Sequence, residues 1–432
     1  MKYILYIILL FVSFPASDLF SQSLPVISVP KGVGMPGSLF DRQTNSNTSN
    51  IHTDIRAGNA ELIREADMYQ MQMEIQRQSD IKMLTERGFP LSREKGTSCY
   101  HEAYNEISDM LKGNQPLELG RSIFLVENAY YENIIDYKEY RDGLEWAADF
   151  CNSIAESEKL DKENNIVKNM MIFRFISDTI SIRDKKTGKK IWHYPVKYNY
   201  EDYQSKINFD SHFVTTLMRT NKGQCVSMPL YYLVLAEEMG AEAFWSFSPK
   251  HSFVKIQDEQ GLWYNLELTC KAVLSDAHYI NNSYIKAEAL QNRIYLEPLD
   301  KTNIIAHMLL ELARGYFDKY GYDDFYLKCI DTALQYSNNN VDALILKSEY
   351  QTRLTLVLGH LLNAPNPDIM KEKSPEAYKH YELMQARYRE VDAMGYEELP
   401  NELYARWLDY IEKEKIKSEK LPSIFINLSK EK

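Results

Sequence analysis

Residues 221–243 read NKGQCVSMPLYYLVLAEEMGAEA and place a cysteine between a Lys-Gly-Gln turn and a long apolar run. Pro229 lacks an N–H and its ring clashes with a preceding helical turn, so it belongs to the first turn of a helix. A helix therefore begins within a few residues of Cys225, and Gly240 is its natural end. Apolar residues cover most of its faces, which predicts a helix buried at the centre of a domain.

Cys225 is then either a small core residue or a nucleophile at the mouth of this helix. Helix N-termini carry unpaired N–H groups and a partial positive charge, which favour a thiolate over a thiol. Gly223 supplies a turn that can bring the backbone close to a substrate. Because a cysteine at the start of a core helix is usually structural, the nucleophile hypothesis needs a base elsewhere in the chain.

A candidate base, His251, begins the next predicted strand, HSFVKIQ, and the turn DEQG leads to a second strand, WYNLELT. Side chains alternate between the two faces of a strand, so Asn265 and Glu267 share one face. If the strands pair as a hairpin, one of these two side chains lies beside His251. Such a group would fix the imidazole tautomer and stabilise its charged form.

The order of these motifs resembles the transglutaminase-like superfamily, whose fold is shared with papain-type cysteine proteases. The motifs are GQC opening a buried helix, a histidine on a strand, and W-x-x-x-E-x-T on the neighbouring strand. More narrowly, the chain is similar to a bacterial transglutaminase-like core that is often followed by tetratricopeptide-type helices. The resemblance covers about residues 100–275 and is most specific over 215–270, including the preceding run NYEDYQSKINFDSHFVTTLMRTNKGQC.

The resemblance implies a role for each of these residues. It makes Cys225 the nucleophile, His251 the base and Glu267 the orienting acid, where many relatives carry Asp. Asn265 stays an alternative orienting residue, because an amide plays that part in papain-like enzymes. The Cys225 N–H and Gln224 are candidate oxyanion-hole donors.

The N-terminal residues predict export. Lys2 precedes an apolar run of about 12 residues, too short to span a bilayer but suited to a signal peptide. We expect a signal peptide over 1–23 and a flexible leader, rich in Ser, Asn, Gly and Pro, over 24–58. The mature protein is then periplasmic or extracellular, without stable membrane insertion.

Five cysteines follow the signal peptide, and an odd number leaves at least one outside internal disulfides in an oxidising compartment. No CxxC spacing is present, which argues against zinc-ribbon and thioredoxin folds. Cys151 lies in an apolar helical pattern and is expected in the core. Cys270 is expected to point away from Glu267 on a continuing strand, and so also into the core.

The expected fold class is α+β: a helical lobe and a small antiparallel sheet around the Cys-bearing helix, followed by an all-α region. Residues 59–98 form an N-terminal helix and linker, with a Met-rich docking face. The resemblance implies a transglutaminase-like domain over residues 99–300, in which we expect helices over 100–157 and a hairpin over 178–196. Residues 301–432 read as helical hairpins with a tetratricopeptide-like repeat of about 34 residues.

Charge and composition narrow the function classes. A formal net charge of −11 without a long basic run argues against a nucleic-acid partner. No histidine group shows metal-ligand spacing, and the proposed chemistry needs no cofactor. The first hypothesis is an exported cysteine hydrolase or amide-transfer enzyme that acts on peptide or amide bonds through an acyl-thioester on Cys225. The alternative is an inactive scaffold that binds a protein partner through its C-terminal helices.

Overall fold

The computed structural model describes residues 48–183, 188–397 and 413. Within these ranges the chain is an α+β protein, as predicted, with many helices and small sheets. The predicted signal peptide, residues 1–23, lies outside the described residues. So does the leader up to residue 47.

The N-terminal half is mainly helical. Its helices are α1 (Thr48–Arg87), α2 (Thr97–Leu111), α3 (Leu119–Tyr130), α4 (Tyr137–Ser157) and α5 (Asn165–Ser177). The predicted lobe over 100–157 is formed by α2, α3 and α4. Helix α1 begins at Thr48 and so overlaps the end of the predicted leader, residues 24–58. Asn and Gly are weak helix formers, but a helix that has nucleated propagates through them.

Short strands and helices follow and lead into the buried helix. The elements are β1 (Ile180–Arg183), β2 (Lys190–His193), β3 (Lys197–Tyr198), a 3₁₀ turn (Phe209–His212), α6 (Val214–Thr220), β4 (Lys222–Gly223) and α7 (Ser227–Met239). Strands β1 and β2 pair antiparallel, which confirms the predicted hairpin, and β3 pairs parallel with β4.

Helix α7 is the predicted central helix. Pro229 lies at its third residue, and Gly240 ends it with a φ of 60° in the left-handed region. Nearly every side chain of α7 is buried. The helix has 13 residues, and none of the helices in the described ranges is long and apolar enough to cross a membrane.

Four antiparallel strands form the main sheet, in the order β5 (Phe244–Ser248), β6 (His251–Gln257), β7 (Trp263–Glu267) and β8 (Ala272–Leu274). The β6–β7 hairpin confirms the predicted pairing across DEQG; β5 and β8 are additional. Val254 and Leu266 face the core that contains α7. Phe253 faces a second cluster built around helices α8 (Asp276–Ser283) and α9 (Ala287–Gln291).

The C-terminal helices are α10 (Lys301–Tyr320), α11 (Asp324–Tyr336), α12 (Val341–Leu361), α13 (Pro367–Lys373) and α14 (Pro375–Ala393). The region is helical as predicted, but α10 and α12 begin at Lys301 and Val341, farther apart than one 34-residue repeat. Helix α10 packs on α2 and α3. A single buried cluster therefore continues across the predicted boundary at residue 300.

Close packing leaves no room for a side chain at position 223, and Gly223 does not form the turn that the sequence suggested. It is buried in β4, and an added Cβ would lie 2.6 Å from both Leu217 Cδ1 and Met228 Cγ. Both neighbours belong to the core around α7. The glycine lets the strand that precedes Cys225 approach this core closely.

We predict that Gly223→Ala destabilises the protein by about 1–3 kcal/mol, because the added methyl group overpacks this contact. Gly359 in α12 is the matched control, since its added Cβ meets only the Ala364 carbonyl at 3.7 Å. Gly359→Ala should raise stability by about 0.5–1 kcal/mol through helix propensity. Thermal unfolding of the two variants measures both effects, and equal shifts of one sign would contradict this account.

Candidate active site

Cys225 lies in the turn that leads into α7, two residues before the first helical residue, Ser227. Its side chain is half-buried, so the sulfur is neither sealed in the core nor fully exposed. Among the described residues, none accepts a hydrogen bond from the Cys225 N–H. This N–H is therefore one of the unpaired donors that give a helix start its partial positive charge.

The Cys225 carbonyl is held by the sheet. In a regular helix it would accept a hydrogen bond from the N–H of residue 229, but Pro229 has none. The hydroxyl of buried Ser252 donates to this carbonyl instead. Because Ser252 directly follows His251, this bond fixes the start of β6 against the turn that carries the sulfur.

A tight turn determines where His251 begins its strand. Residues Pro249 and Lys250 connect β5 to β6, and Lys250 has a φ of 57°, in the left-handed region. Ser248 pairs directly with His251 across this turn. The histidine side chain remains 26% exposed, at the margin of the sheet.

Glu267 is the partner of His251. Its Oε2 accepts a hydrogen bond from His251 Nε2 at 2.6 Å and from the Tyr279 hydroxyl at 2.9 Å. Its Oε1 accepts the Thr269 N–H at 3.1 Å and the Thr269 hydroxyl at 2.6 Å. Four donors thus satisfy a buried carboxylate, and a ring stacking between Tyr279 and Phe253, with centroids 4.1 Å apart, positions one of them.

Asn265, the alternative orienting residue, lies on the same face of β7 but contacts other groups. It pairs with Lys255 across the strands, and its Nδ2 donates to Asp276 Oδ1 at 2.7 Å. The buried Lys255 ammonium donates to the same oxygen at 2.9 Å. The structure therefore brings Glu267, and not Asn265, to the imidazole.

The charges of this group are coupled. Burial alone would lower the pKa of His251, but the Glu267 charge and hydrogen bonds to Cys225 and Glu267 raise it well above its ordinary value. Burial alone would raise the pKa of Glu267, but the charge and hydrogen bond of His251, with the Thr269 donors, lower it to about 2. Since Glu267 occupies Nε2, Nδ1 is the ring nitrogen left for the sulfur.

Gln224 has a structural part in this turn. Its side-chain amide donates to the Asp202 carbonyl, and its Oε1 accepts from the Ser205 hydroxyl at 3.1 Å. Asp202 in turn accepts hydrogen bonds from three backbone N–H groups of its own loop. The buried Gln224 amide thus anchors the 202–211 loop to the cysteine turn.

The network extends to the C-terminal helices through His212. Its Nδ1 contacts the Ser205 hydroxyl at 3.2 Å, and its Nε2 lies 3.5 Å from the carboxylate of buried Glu311 in α10. His307 Nε2 also lies 3.5 Å from Glu311, and Arg314 pairs with it. These charges hold the pKa of Glu311 well below its ordinary value against the effect of burial. The sequence analysis missed this cluster, because His212 is distant from α10 in the chain.

The sequence also predicted core positions for Cys151 and Cys270, and only the first of these predictions is confirmed. Cys151 is buried, as expected, and burial raises its pKa. The prediction that Cys270 lies in the core is wrong, because its side chain is exposed. Strand β7 ends at Glu267, so the alternation of faces no longer applies three residues later.

Ser252 and Tyr279 are the site residues that the sequence analysis missed. Ser252 could have been suspected from Pro229, since a proline at that position leaves one carbonyl without its helical donor. Tyr279 carries no such signal. It reaches Glu267 because α8 folds back over the sheet, a tertiary contact that strand periodicity does not encode.

The lowered pKa of Glu267 predicts a pH-dependent contribution to stability. The contribution is fully present above pH 4.5, the ordinary pKa, and is lost as the pH falls toward 2, the pKa in the folded protein. At pH 6 it is on the order of 3 kcal/mol. Glu267→Gln should therefore lower the thermal midpoint at pH 6, and its difference from wild type should shrink as the pH falls from 4.5 toward 2.

Thermal unfolding at several pH values measures this difference. Glu382→Gln, which changes an exposed glutamate on α14, serves as the control and should track wild type throughout. If the thermal midpoint of Glu267→Gln stays below that of wild type by the same amount from pH 6 to pH 3, the Glu267 carboxylate is not ionised in the way described.

Comparison with known proteins does not identify a family for this chain. No protein-family model matches the chain, and neither a curated protein nor a solved structure matches it. The transglutaminase-like resemblance therefore rests on the motifs around Cys225, His251 and Glu267.

Proposed function

We propose that the protein is a transglutaminase-like cysteine hydrolase or acyltransferase that cleaves or exchanges amide bonds through an acyl-thioester on Cys225. The observation that carries the proposal is one imidazole, that of His251, which interacts with both Glu267 and Cys225. His251 Nε2 is bound to Glu267, and the interaction with Cys225 helps to raise the pKa of the same imidazole. A protonated imidazole beside a thiol stabilises the thiolate, which is the nucleophilic form.

The first half-reaction forms the thioester. The Cys225 thiolate attacks the substrate carbonyl carbon, a C–S bond forms, and the C=O electron pair moves to oxygen. When this pair returns, the C–N bond breaks, and the leaving amine takes the proton from the His251 imidazolium. Glu267 keeps the ring oriented and supports its positive charge before that transfer.

The second half-reaction regenerates the thiolate. Neutral His251 accepts a proton from water or from an amine as that nucleophile attacks the thioester carbon. The C–S bond then breaks, which leaves the thiolate beside imidazolium and releases an acid or a new amide. Peptides are the proposed substrate class, and envelope peptides fit the export that the N-terminal sequence predicts.

We predict that iodoacetamide alkylates Cys225 roughly 10- to 100-fold faster than Cys270 at pH 6. An ordinary thiol with a pKa near 8.5 is almost entirely protonated at that pH, whereas a thiolate–imidazolium pair stays reactive. Cys270 is the internal reference because its side chain is exposed. Peptide mass spectrometry of timed samples gives both rates in one reaction.

Two variants control this measurement. His251→Ala should remove the advantage of Cys225 at pH 6, because the counter-charge is lost. Asn265→Ala should keep it, because Asn265 binds Asp276 and not the imidazole. Equal alkylation rates at Cys225 and Cys270 in the wild-type protein would reject the proposed enzymatic function.

A protein-binding scaffold is the second candidate function, and helix α1 favours it. Its large apolar side chains between residues 62 and 75 are 53–65% exposed; they are Leu62, Ile63, Met68, Tyr69, Met71, Met73 and Ile75. Such a run on one helix is typical of a docking surface. An unreactive Cys225 together with an intact fold would support this function instead.

A further inference from the structure

A tyrosine beside the cysteine turn has no part in the chemistry described so far. Tyr198 in β3 pairs in register with Gly223, two residues before Cys225. Hydrogen bonds from Lys197 N–H to the Asn221 carbonyl, at 3.0 Å, and from Asn199 N–H to the Gly223 carbonyl, at 2.8 Å, fix this register. Paired strands lie about 4.8 Å apart, so the Tyr198 backbone is held next to the turn.

The Tyr198 side chain is oriented and half-buried. The Tyr200 ring packs edge-on against it, with centroids 4.9 Å apart. Burial and then the nearby charges of Cys225 and Glu267 raise the pKa of Tyr198, so the phenol keeps its proton at neutral pH.

The Tyr198 hydroxyl is an unused donor. Within the described ranges no hydrogen bond of this hydroxyl to another residue is found. Tyr279, the other tyrosine near Glu267, uses its hydroxyl on the carboxylate. The amide of Gln224, the donor suggested by the sequence, is bound to Asp202. Thus the Cys225 N–H and the hydroxyl of Tyr198, whose strand pairs beside the cysteine turn, are two donors that no other described residue uses.

We propose that the Tyr198 hydroxyl is a catalytic hydrogen-bond donor that binds the substrate's acyl oxygen as it becomes an oxyanion. This inference rests on the proposed function, because it needs acyl transfer at Cys225. The hydrogen bond strengthens as the C=O electron pair moves to oxygen, and Tyr198 keeps its proton throughout. With the Cys225 N–H it supplies two donors for one oxygen, the usual form of an oxyanion hole.

Two reactions of the Cys225 thiol test whether the Tyr198 hydroxyl acts on the substrate oxygen or on the sulfur. Acylation by p-nitrophenyl acetate passes through a tetrahedral oxyanion and releases p-nitrophenol. Alkylation by iodoacetamide displaces iodide from a CH₂ carbon and forms no oxyanion. Tyr198→Phe should slow acylation about 100-fold, as the loss of an oxyanion-hole donor does, and change the alkylation rate less than twofold.

Tyr194→Phe is the matched control, because Tyr194 is a 61% exposed tyrosine four residues earlier in the chain. It should leave both rates at Cys225 unchanged. Tyr198→Phe with normal acylation, or with acylation and alkylation slowed equally, overturns the oxyanion role. In the second case the hydroxyl acts on the sulfur.

His251→Ala distinguishes failure of this inference from failure of the proposed function. If wild-type Cys225 acylates no faster than it does in His251→Ala, the proposed function fails, and the Tyr198 role fails with it. If acylation depends on His251 but not on the Tyr198 hydroxyl, only the Tyr198 role is rejected.

Discussion

The hydrogen bond from the Ser252 hydroxyl to the Cys225 carbonyl joins the two halves of the candidate site. It exists because Pro229 removes the N–H that would otherwise complete the first turn of α7. A buried carbonyl without a donor is costly, by about 1–3 kcal/mol, so the helix start requires a group from outside. The sheet provides that group from the residue next to His251. The same hydrogen bond therefore satisfies the helix backbone and positions the strand that carries the imidazole.

The carboxylate of Glu267 imposes the second constraint. A buried charge is tolerated only when donors surround it, and here the donors come from β6, from the end of β7 and from α8. Each of them also fixes part of the site: the imidazole ring, the end of the strand and the helix that covers the sheet. The same four hydrogen bonds that make ionisation tolerable thus give the histidine one orientation.

The sequence was sufficient for the parts of the site that depend on local rules. Pro229 and Gly240 bound the central helix, and the DEQG turn predicted the β6–β7 hairpin. Periodicity could not choose between Asn265 and Glu267, since both point to one face. That choice depends on the position of His251 along β6, just after the β5–β6 turn, and on the helix that supplies Asp276 to the amide.

Other features depended on tertiary structure. The position of Cys270 was predicted wrongly because strand β7 ends three residues earlier. No residue type in that stretch indicates this end. The position of Tyr198 beside the cysteine turn depends on a two-residue parallel pairing between β3 and β4. A pair this short has no detectable period in the sequence, and it joins residues from separate predicted elements.

The C-terminal helices take part in this arrangement and are not a separate appendage to it. Glu311 on α10 contacts His212, His212 contacts Ser205, and Ser205 donates to Gln224, the residue before the cysteine. The buried cluster shared by α2, α3 and α10 makes the same connection through apolar packing. A continuous set of contacts therefore links α10 to the cysteine turn. The two proposed functions, binding through a helical region and chemistry at Cys225, are therefore compatible, because one core supports both parts of the fold.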